Sequence, residues 1–208
     1  MRNSKVRIKL EAKKISIGQY GESEDGHVTG EFETIQNQHR KYARAIGSYL
    51  ISFSQLEHSL DNDLATAVNE RAHEPGYRIL KYLSFRDKAN FLKDDYAAYI
   101  KYCMQEPYKT RLLADVQTIH SKLCELSEFR NKVAHANWQS LDLSGFVRTK
   151  MLERKDDVGM EFEKIKMTPI VLSKFRRQNE ALASRLEYFR EKVWEANRRE
   201  IAKLHRNR

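Results

Sequence analysis

The sequence has few cysteines and no long hydrophobic run. Cys103 and Cys124 are its two cysteines in 208 residues, and they form no Cys-x-x-Cys pattern. This cysteine usage is typical of proteins in a reducing compartment, so we expect a cytoplasmic location. The initial segment, MRNSKVRIKL, lacks the apolar core of a signal peptide, and no segment approaches the ~20 apolar residues of a transmembrane helix. We therefore expect neither export nor a membrane partner.

Metal-binding and phosphate-binding motifs are also lacking. The sequence contains no His-Glu-x-x-His pattern and no cluster of cysteine and histidine with the spacing of a metal site. Glycines occur at positions 18, 21, 26 and 30, but the acidic residues among them disfavour a phosphate-binding loop. We therefore expect no metal and no cofactor.

Positive charge is in excess. Lysine and arginine number 38 against 29 aspartates and glutamates, which gives a net charge of +9. Such an excess suits a polyanionic partner, nucleic acid above all. A basic surface also simply keeps many proteins in solution, so charge alone assigns no function.

The N-terminal part of the chain differs in pattern from the rest. Residues 1–31 comprise a basic segment followed by an acidic, glycine-rich linker at 18–30. In the basic segment, apolar residues alternate loosely with lysines, which fits a short edge strand, a hairpin or a mobile tail. We predict that residues 32–208 form a helical domain.

Hydrophobic periodicity over residues 32–208 predicts a mainly α protein. Apolar residues recur at intervals typical of amphipathic helices, and we predict an antiparallel bundle of about four helices. An alternating pattern at about 145–167 predicts a β-hairpin inserted before the C-terminal helix. The predicted helices run from Phe32 to before Pro75-Gly76, from Ser84 to before Pro107, from there to near Trp138, and onward from Thr168-Pro169.

One charged residue interrupts the apolar stripe of the third helix. At about 100° per residue, Arg130 points in the same direction as Leu112, the first residue of that stripe. A buried guanidinium is unfavourable unless it is paired or opens onto a cavity. On the first helix, Glu57 lies about 20° from Ile46, again within an apolar stripe. We therefore predict that Glu57 and Arg130 are ion-pair partners across the helix packing.

Asn131 and His135 share another flank of the third helix. They lie roughly 100° to 140° from the centre of the stripe, where they face a groove or a second subunit. A phosphate could be held there between a fixed cation and a titrating imidazole. The candidate catalytic residues are Arg130, Asn131 and His135, supported by Glu57, and the candidate substrate-binding residues are His120, Lys132 and Trp138.

The segment RNKVAH, residues 130–135, resembles the motif of the HEPN family. This family comprises all-helical domains of prokaryotic toxins, phage-defence proteins and some eukaryotic RNA-processing enzymes. Its motif is an arginine, usually followed by a polar residue, and then a histidine, on a late helix of the bundle. Here Arg130, Asn131 and His135 fill those positions. The segment SQLEHSL, which contains Glu57, is similar to the family's first long helix, where an acidic or hydroxyl side chain often faces the arginine.

The resemblance implies metal-independent RNA cleavage by a symmetric homodimer that brings two motifs together. A histidine can take the proton of the ribose 2′-hydroxyl or give one to the departing 5′-oxygen. An arginine supplies fixed positive charge to the phosphate in the transition state. The resemblance also implies a toxin or an antiviral defence effector, with an antitoxin or a defence-system protein as partner.

Other interpretations remain open from the sequence. Arg130 and Glu57 could be a purely structural pair, and His135 could simply interact favourably with the helix dipole. The chain would then be a non-catalytic HEPN-like module that binds RNA or a partner protein. A basic helical DNA-binding protein is disfavoured, because the sequence has no recognisable helix-turn-helix signature.

Overall fold

The structure is a computed structural model that describes residues 10–16, 29–68, 73–153 and 160–206. The predicted class, a mainly α protein with an antiparallel hairpin before the last helix, is confirmed. Among the described residues, no helix combines the length and apolarity needed to cross a membrane.

The elements in chain order are β1 (Ala12–Ser16), α1 (Thr29–Val68), α2 (His73–Leu80), α3 (Phe85–Cys103), α4 (Tyr108–His135), a 3-10 turn (Trp138–Ser140), β2 (Phe146–Glu153), β3 (Met160–Lys166) and α5 (Pro169–Arg206).

Capping side chains set the start of two helices. At α3, the Ser84 hydroxyl accepts the backbone N–H of Asp87, and the Asp87 carboxylate accepts the backbone N–H of Ser84. This reciprocal capping box satisfies two N–H groups that have no acceptor within the helix. At α5, Thr168 Oγ1 accepts the N–H of Val171, and Pro169 takes the first helical position, as predicted.

A short helix that the sequence patterns did not predict lies between α1 and α3. The first helix ends at Val68, and α2 then contains both Pro75 and Gly76. Proline is tolerated in the first turn of a helix, because its missing N–H would have no intrahelical acceptor there. Gly76 lies against α1, where an added Cβ would be 2.7 Å from the Cα of Ala65. The Pro-Gly pair thus marks a close helix contact.

The chain divides into two compact units. Unit 1 comprises residues 1–47 and 131–174, and unit 2 comprises residues 48–130 and 175–208. The helices α1, α4 and α5 each contribute a segment to both units. The division falls within the candidate motif, between Arg130 and Asn131.

Unit 2 contains five helical segments, which belong to α1, α2, α3, α4 and α5. The segments of α1 and α5 run in the same direction, since Asn179 donates to Ser52 and Arg190 donates to Asp63. The segment of α4 runs opposite to α5, because Phe129 stacks on Phe175 whereas Asp115 accepts from Lys192. The buried core of unit 2 includes Tyr49, Leu56, Leu60, Ile100, Leu123, Leu126, Phe175 and Leu186.

Unit 1 contains a three-stranded antiparallel sheet of order β1-β3-β2. Residues 12–16 form its edge strand, which decides among the alternatives left open for this part of the basic segment. Val147 and Ile165 are paired across the hairpin, and both are buried. The predicted linker at 18–30 lies outside the described residues, except that Thr29 and Gly30 already belong to α1.

Candidate functional site

The candidate motif lies at the C-terminal end of α4, which ends at His135. Near this end the buried side chains are Phe129 and Val133, which lie about 60° to 100° from the direction of Arg130. The apolar stripe has therefore rotated away from the line that Leu112 begins. Arg130 is half-buried, so it lies at the margin of the stripe and not at its centre.

Two aromatic side chains of α1 lie near Arg130 in unit 2. Its guanidinium carbon lies 5.8 Å from the centre of the Phe53 ring, within the range of a cation–π interaction. Phe53 is buried and packs against Phe85 at 4.8 Å between ring centres. Burial raises the pKa of Tyr49 well above its ordinary value, and the positive charge of Arg130 opposes this rise. The arginine is thus held beside a rigid aromatic surface.

The predicted pair of Glu57 with Arg130 stays a prediction. The structure places Lys88 of α3 beside Glu57, with Nζ 3.1 Å from Oε1, and Lys88 Nζ also lies 2.8 Å from Asp61 Oδ1. The Lys88 side chain is 7% exposed. Burial lowers the pKa of Lys88, but hydrogen bonds to Asp61 and Glu57 outweigh burial and raise the pKa above its ordinary value. Glu57 therefore belongs to a three-charge network centred on Lys88.

The buried face of α1 is not centred on Ile46, the residue from which the direction of Glu57 was predicted. Ile46, taken as the centre of the stripe, is only half-buried, whereas Tyr49, Leu56 and Leu60 are fully buried. Relative to Tyr49, Glu57 lies about 80° away, at the edge of the buried face. An edge position allows a carboxylate to reach a lysine from the neighbouring helix.

Asn131, Lys132 and His135 are all exposed at the end of α4, in unit 1. Asn131 and His135 are four residues apart in one helix, so their side chains project on the same flank. An exposed histidine, amide and lysine on neighbouring positions are accessible to a large substrate. This part of the predicted set is thus compatible with contact to a polymer.

Trp138 is half-buried and anchors the chain after α4. Its indole N–H donates to the carbonyl of Val133 at 3.0 Å, and its ring lies 6.2 Å from that of Tyr42. These contacts fix the orientation of the ring within unit 1. Its predicted role in substrate binding stays a prediction.

His120 lies apart from Arg130 in unit 2. The two are ten residues apart in the sequence, which corresponds to about 15 Å along the helix axis. His120 Nε2 lies 2.8 Å from Asn90 Oδ1 and 3.6 Å from the sulfur of Cys124. Burial lowers the pKa of His120, and the charge of Lys93 lowers it further. Its imidazole therefore favours the neutral form, and the structure does not group it with the arginine.

The segment that follows His135 is hydrogen-bonded to strand β2. The sequence patterns did not reveal this contact. The backbone N–H of Asn137 donates to the carbonyl of Arg148 at 2.8 Å, and the two residues form an isolated antiparallel bridge. The N–H of Arg148 donates in turn to Ser140 Oγ at 2.8 Å. Alternation in GFVRTKMLE placed Arg148 on a strand, but it could not show that this strand borders the end of α4.

Within the described residues, no group of three or more histidine, cysteine, aspartate or glutamate side chains is placed to hold a metal ion. Comparison with known proteins found no matching family model, no matching curated protein and no matching solved structure. The resemblance to the HEPN family therefore rests on the motif and on the order of the elements.

Proposed function

We propose that this chain is a metal-independent RNA endonuclease of the HEPN type that acts as a homodimer. The observation that carries the proposal is the arrangement at the end of α4. There, Asn131 and His135 are exposed on one flank, and they directly follow an arginine held against Phe53. An imidazole can act as general base or general acid in RNA cleavage by transphosphorylation, and a guanidinium can stabilise the charge of the phosphate without a metal.

In the proposed reaction, the imidazole of His135 takes the proton of a ribose 2′-hydroxyl. The 2′-oxygen then attacks the adjacent phosphorus, and the bond from phosphorus to the 5′-oxygen of the next nucleotide breaks. The 5′-oxygen receives a proton from the His135 of a second subunit. The products are one strand with a 2′,3′-cyclic phosphate and one with a 5′-hydroxyl, so atoms and protons balance.

Arg130 would stabilise the negative charge of the pentacoordinate phosphate. A guanidinium keeps its charge at every physiological pH, and its N–H groups match phosphate oxygens. The ring of Phe53 restricts the side chain before substrate binds, which reduces the reorganisation needed in the transition state. Asn131 would orient the imidazole or the phosphate through its amide, and Lys132 would attract the RNA backbone.

The broader role that we propose is that of a toxin or an antiviral defence effector in the cytoplasm. An enzyme that cleaves cellular RNA must be restrained, so an antitoxin or a defence-system protein would be its partner. The net charge of +9 supports an RNA substrate, because the backbone dominates the affinity for nucleic acids.

The test is cleavage of labelled RNA in the presence of EDTA. We expect the wild-type protein to cleave RNA and to leave 2′,3′-cyclic phosphate ends. His135→Ala and Arg130→Ala should each lower the rate by about 100-fold or more, because each removes a group that acts in the transition state. His58→Ala removes an exposed histidine of α1 and serves as the matched control, with an unchanged rate. Equal rates for His135→Ala and His58→Ala would refute the mechanism.

A non-catalytic HEPN-like module is the alternative, and one observation favours it. Glu57, the acid expected to face the motif arginine, is bound by Lys88. The outcome that would select this alternative is tight binding of RNA or of a partner protein without cleavage of any RNA, total cellular RNA included.

A further inference from the structure

We infer that Arg148, on the strand β2, binds the phosphate backbone of the RNA beside His135. This inference rests on the proposed function and adds to it a substrate-binding residue outside the RNKVAH motif. Both residues belong to unit 1. The hairpin that follows α4 would thus form part of the RNA-binding surface.

Two hydrogen bonds fix the backbone of Arg148 next to the end of α4, and a third joins their two partners, Ser140 and Asn137. The carbonyl of Arg148 accepts from the N–H of Asn137 at 2.8 Å, and its N–H donates to Ser140 Oγ at 2.8 Å. Ser140 Oγ itself donates to the carbonyl of Asn137 at 2.6 Å. Asn137 follows His135 by two residues, so the position of Arg148 relative to the helix end is well determined.

Backbone geometry limits the distance between Arg148 and His135. Bridged residues on antiparallel segments have Cα atoms about 5 Å apart. A step of two residues along the chain adds at most about 7.6 Å to the distance between Cα atoms. The Cα atoms of Arg148 and His135 are therefore at most roughly 13 Å apart. Arginine and histidine side chains can span much of this distance, so one short stretch of RNA can contact both.

Asn137 lies on the same sheet face as Arg148. Residues directly opposite each other in an antiparallel bridge project on the same side. Asn137 is exposed, and its amide can donate to a phosphate or a ribose hydroxyl. The sheet face that carries Arg148 therefore presents a cation and an amide donor together, which is the combination that contacts to a nucleic-acid backbone commonly use.

The charge of Arg148 is not neutralised by a carboxylate among the described contacts. Its guanidinium carbon lies 4.8 Å from the centre of the Phe162 ring. A ring restricts the side chain and leaves the positive charge in place. By contrast, Lys164 and Lys166, which share this sheet face, pair with Asp142 at 3.7 Å and with Glu11 at 2.9 Å. Arg148 is half-buried, and of these three cations it is the one whose charge no carboxylate offsets among the described contacts.

A matched control lies two positions along the same strand. Arg148 is paired with Lys164, whereas Lys150 is paired with Glu163, because the register shifts between Arg148 and Lys150. Adjacent residues of β3 project on opposite faces, so Lys150 lies on the face opposite to Arg148. Lys150 is exposed and carries the same charge. Removing it changes the net charge equally without touching the proposed RNA-binding face.

The experiment measures binding of a labelled single-stranded RNA at several salt concentrations. His135→Ala serves as the background for every variant, so that cleavage does not interfere. We expect Arg148→Ala to weaken binding by about tenfold and to reduce the slope of log affinity against log salt by about 0.7, the value for one lost contact to a single strand. Lys150→Ala should change the affinity by less than about twofold. Arg148→Lys should retain the salt slope, because it retains the charge.

The outcomes separate the two proposals. If the His135→Ala protein binds RNA and Arg148→Ala behaves like Lys150→Ala, the role of Arg148 is wrong and the proposed function stands. If no form of the protein binds or cleaves RNA, the proposed function is wrong and the role of Arg148 fails with it. Circular dichroism and urea unfolding of Arg148→Ala show whether the hairpin is intact, and Arg148→Lys decides the matter if the alanine variant is unfolded.

Discussion

Asp63 shows how burial and ion pairing compete at a single residue. Its side chain is 3% exposed, and its Oδ1 accepts a hydrogen bond from Arg190 at 2.7 Å. Burial raises the pKa of Asp63 to about 6, and the charge of Arg190 opposes this rise only in part. The nearby charge of Glu187 raises the pKa further. The neutral acid is therefore favoured in the folded protein to a higher pH than in the unfolded chain.

This pKa predicts how stability changes with pH. Between about pH 4 and pH 6 the folded state binds more protons at Asp63 than the unfolded state does, so the free energy of unfolding falls as pH rises. Asp63→Asn removes this titration and keeps the size of the side chain. We expect the stability of the wild type relative to Asp63→Asn to fall by at most about 3 kcal/mol from pH 4 to pH 7.

Urea unfolding of both proteins at pH 4, 5, 6 and 7 measures this difference. Global effects of pH on the net charge cancel, because the two proteins differ at one buried position. If the wild type instead gained stability relative to Asp63→Asn as pH rose, the ion pair with Arg190 would outweigh burial and the prediction would be wrong.

For the candidate site, the sequence could predict which residues of one helix share a flank. It could not predict which residues of different elements are in contact. The spacing of Asn131 and His135 placed both on one flank of the helix, and both residues are exposed in the structure. The contact of Glu57 with Lys88 could not be found in this way, because the direction of a core face shifts by tens of degrees with the choice of reference residue. The contact of Asn137 with Arg148 joins residues eleven positions apart in an irregular segment, and no periodic pattern encodes it.

At the scale of the secondary-structure elements, the conformation of the turn that precedes β2 depends on a glycine, Gly145. Gly145 has a φ of 84°, a conformation that residues with a side chain rarely adopt. A Cβ added there would lie 2.8 Å from the hydroxyl of Tyr42 and 3.1 Å from Cγ2 of Thr168. The N–H of Gly145 also donates to Asp142 at 2.9 Å and closes the turn. Backbone conformation and close packing therefore both disfavour a larger residue at position 145.

Two alanine substitutions should have opposite effects on stability. Gly145→Ala should lower the free energy of unfolding by about 1–3 kcal/mol, because of the positive φ and the clash with Tyr42. Gly47→Ala adds the same methyl group within α1, where nothing lies within 4 Å, and should raise the stability by about 0.5–1 kcal/mol.

Urea unfolding at one pH measures both variants, and each serves as the control for the other. A loss of stability in Gly47→Ala equal to that in Gly145→Ala would contradict the argument, since the backbone and the packing at the two sites differ. Retained stability in Gly145→Ala would show that the turn can adopt another conformation.

Elements with strong periodicity could be predicted, and elements that depend on distant contacts could not. The long helices and the hairpin appear where repeats of apolar residues and capping signals indicate them, as at Ser84 and Thr168. The helix α2 has only eight residues, too few for a reliable period, and it contains Pro75 and Gly76, which usually mark turns. The strand β1 depends on pairing with β3, about 150 residues later in the chain.

At the scale of the whole molecule, charge and assembly matter most for the proposed activity. The net charge of +9 favours encounter with RNA, but it also makes copies of the chain repel one another. A homodimer must therefore gain more from specific contacts than this repulsion costs. We expect the flank with Asn131 and His135 to provide those contacts, because the proposed reaction needs one histidine as base and a second as acid.

Mixing active and inactive subunits tests this requirement. Wild-type protein is incubated with a roughly ninefold excess of His135→Ala, and cleavage is then measured with RNA far above the concentration of either protein, so that competition for substrate is negligible. If subunits exchange at random in a twofold dimer, about one in ten wild-type subunits keeps a wild-type partner, and activity per wild-type subunit falls about tenfold. His58→Ala in the same excess, an active protein, should cause no such loss of activity per active subunit. Unchanged activity in the presence of His135→Ala, together with a mass of 24.6 kDa by light scattering, would show that a single chain is sufficient and that the dimeric mechanism is wrong.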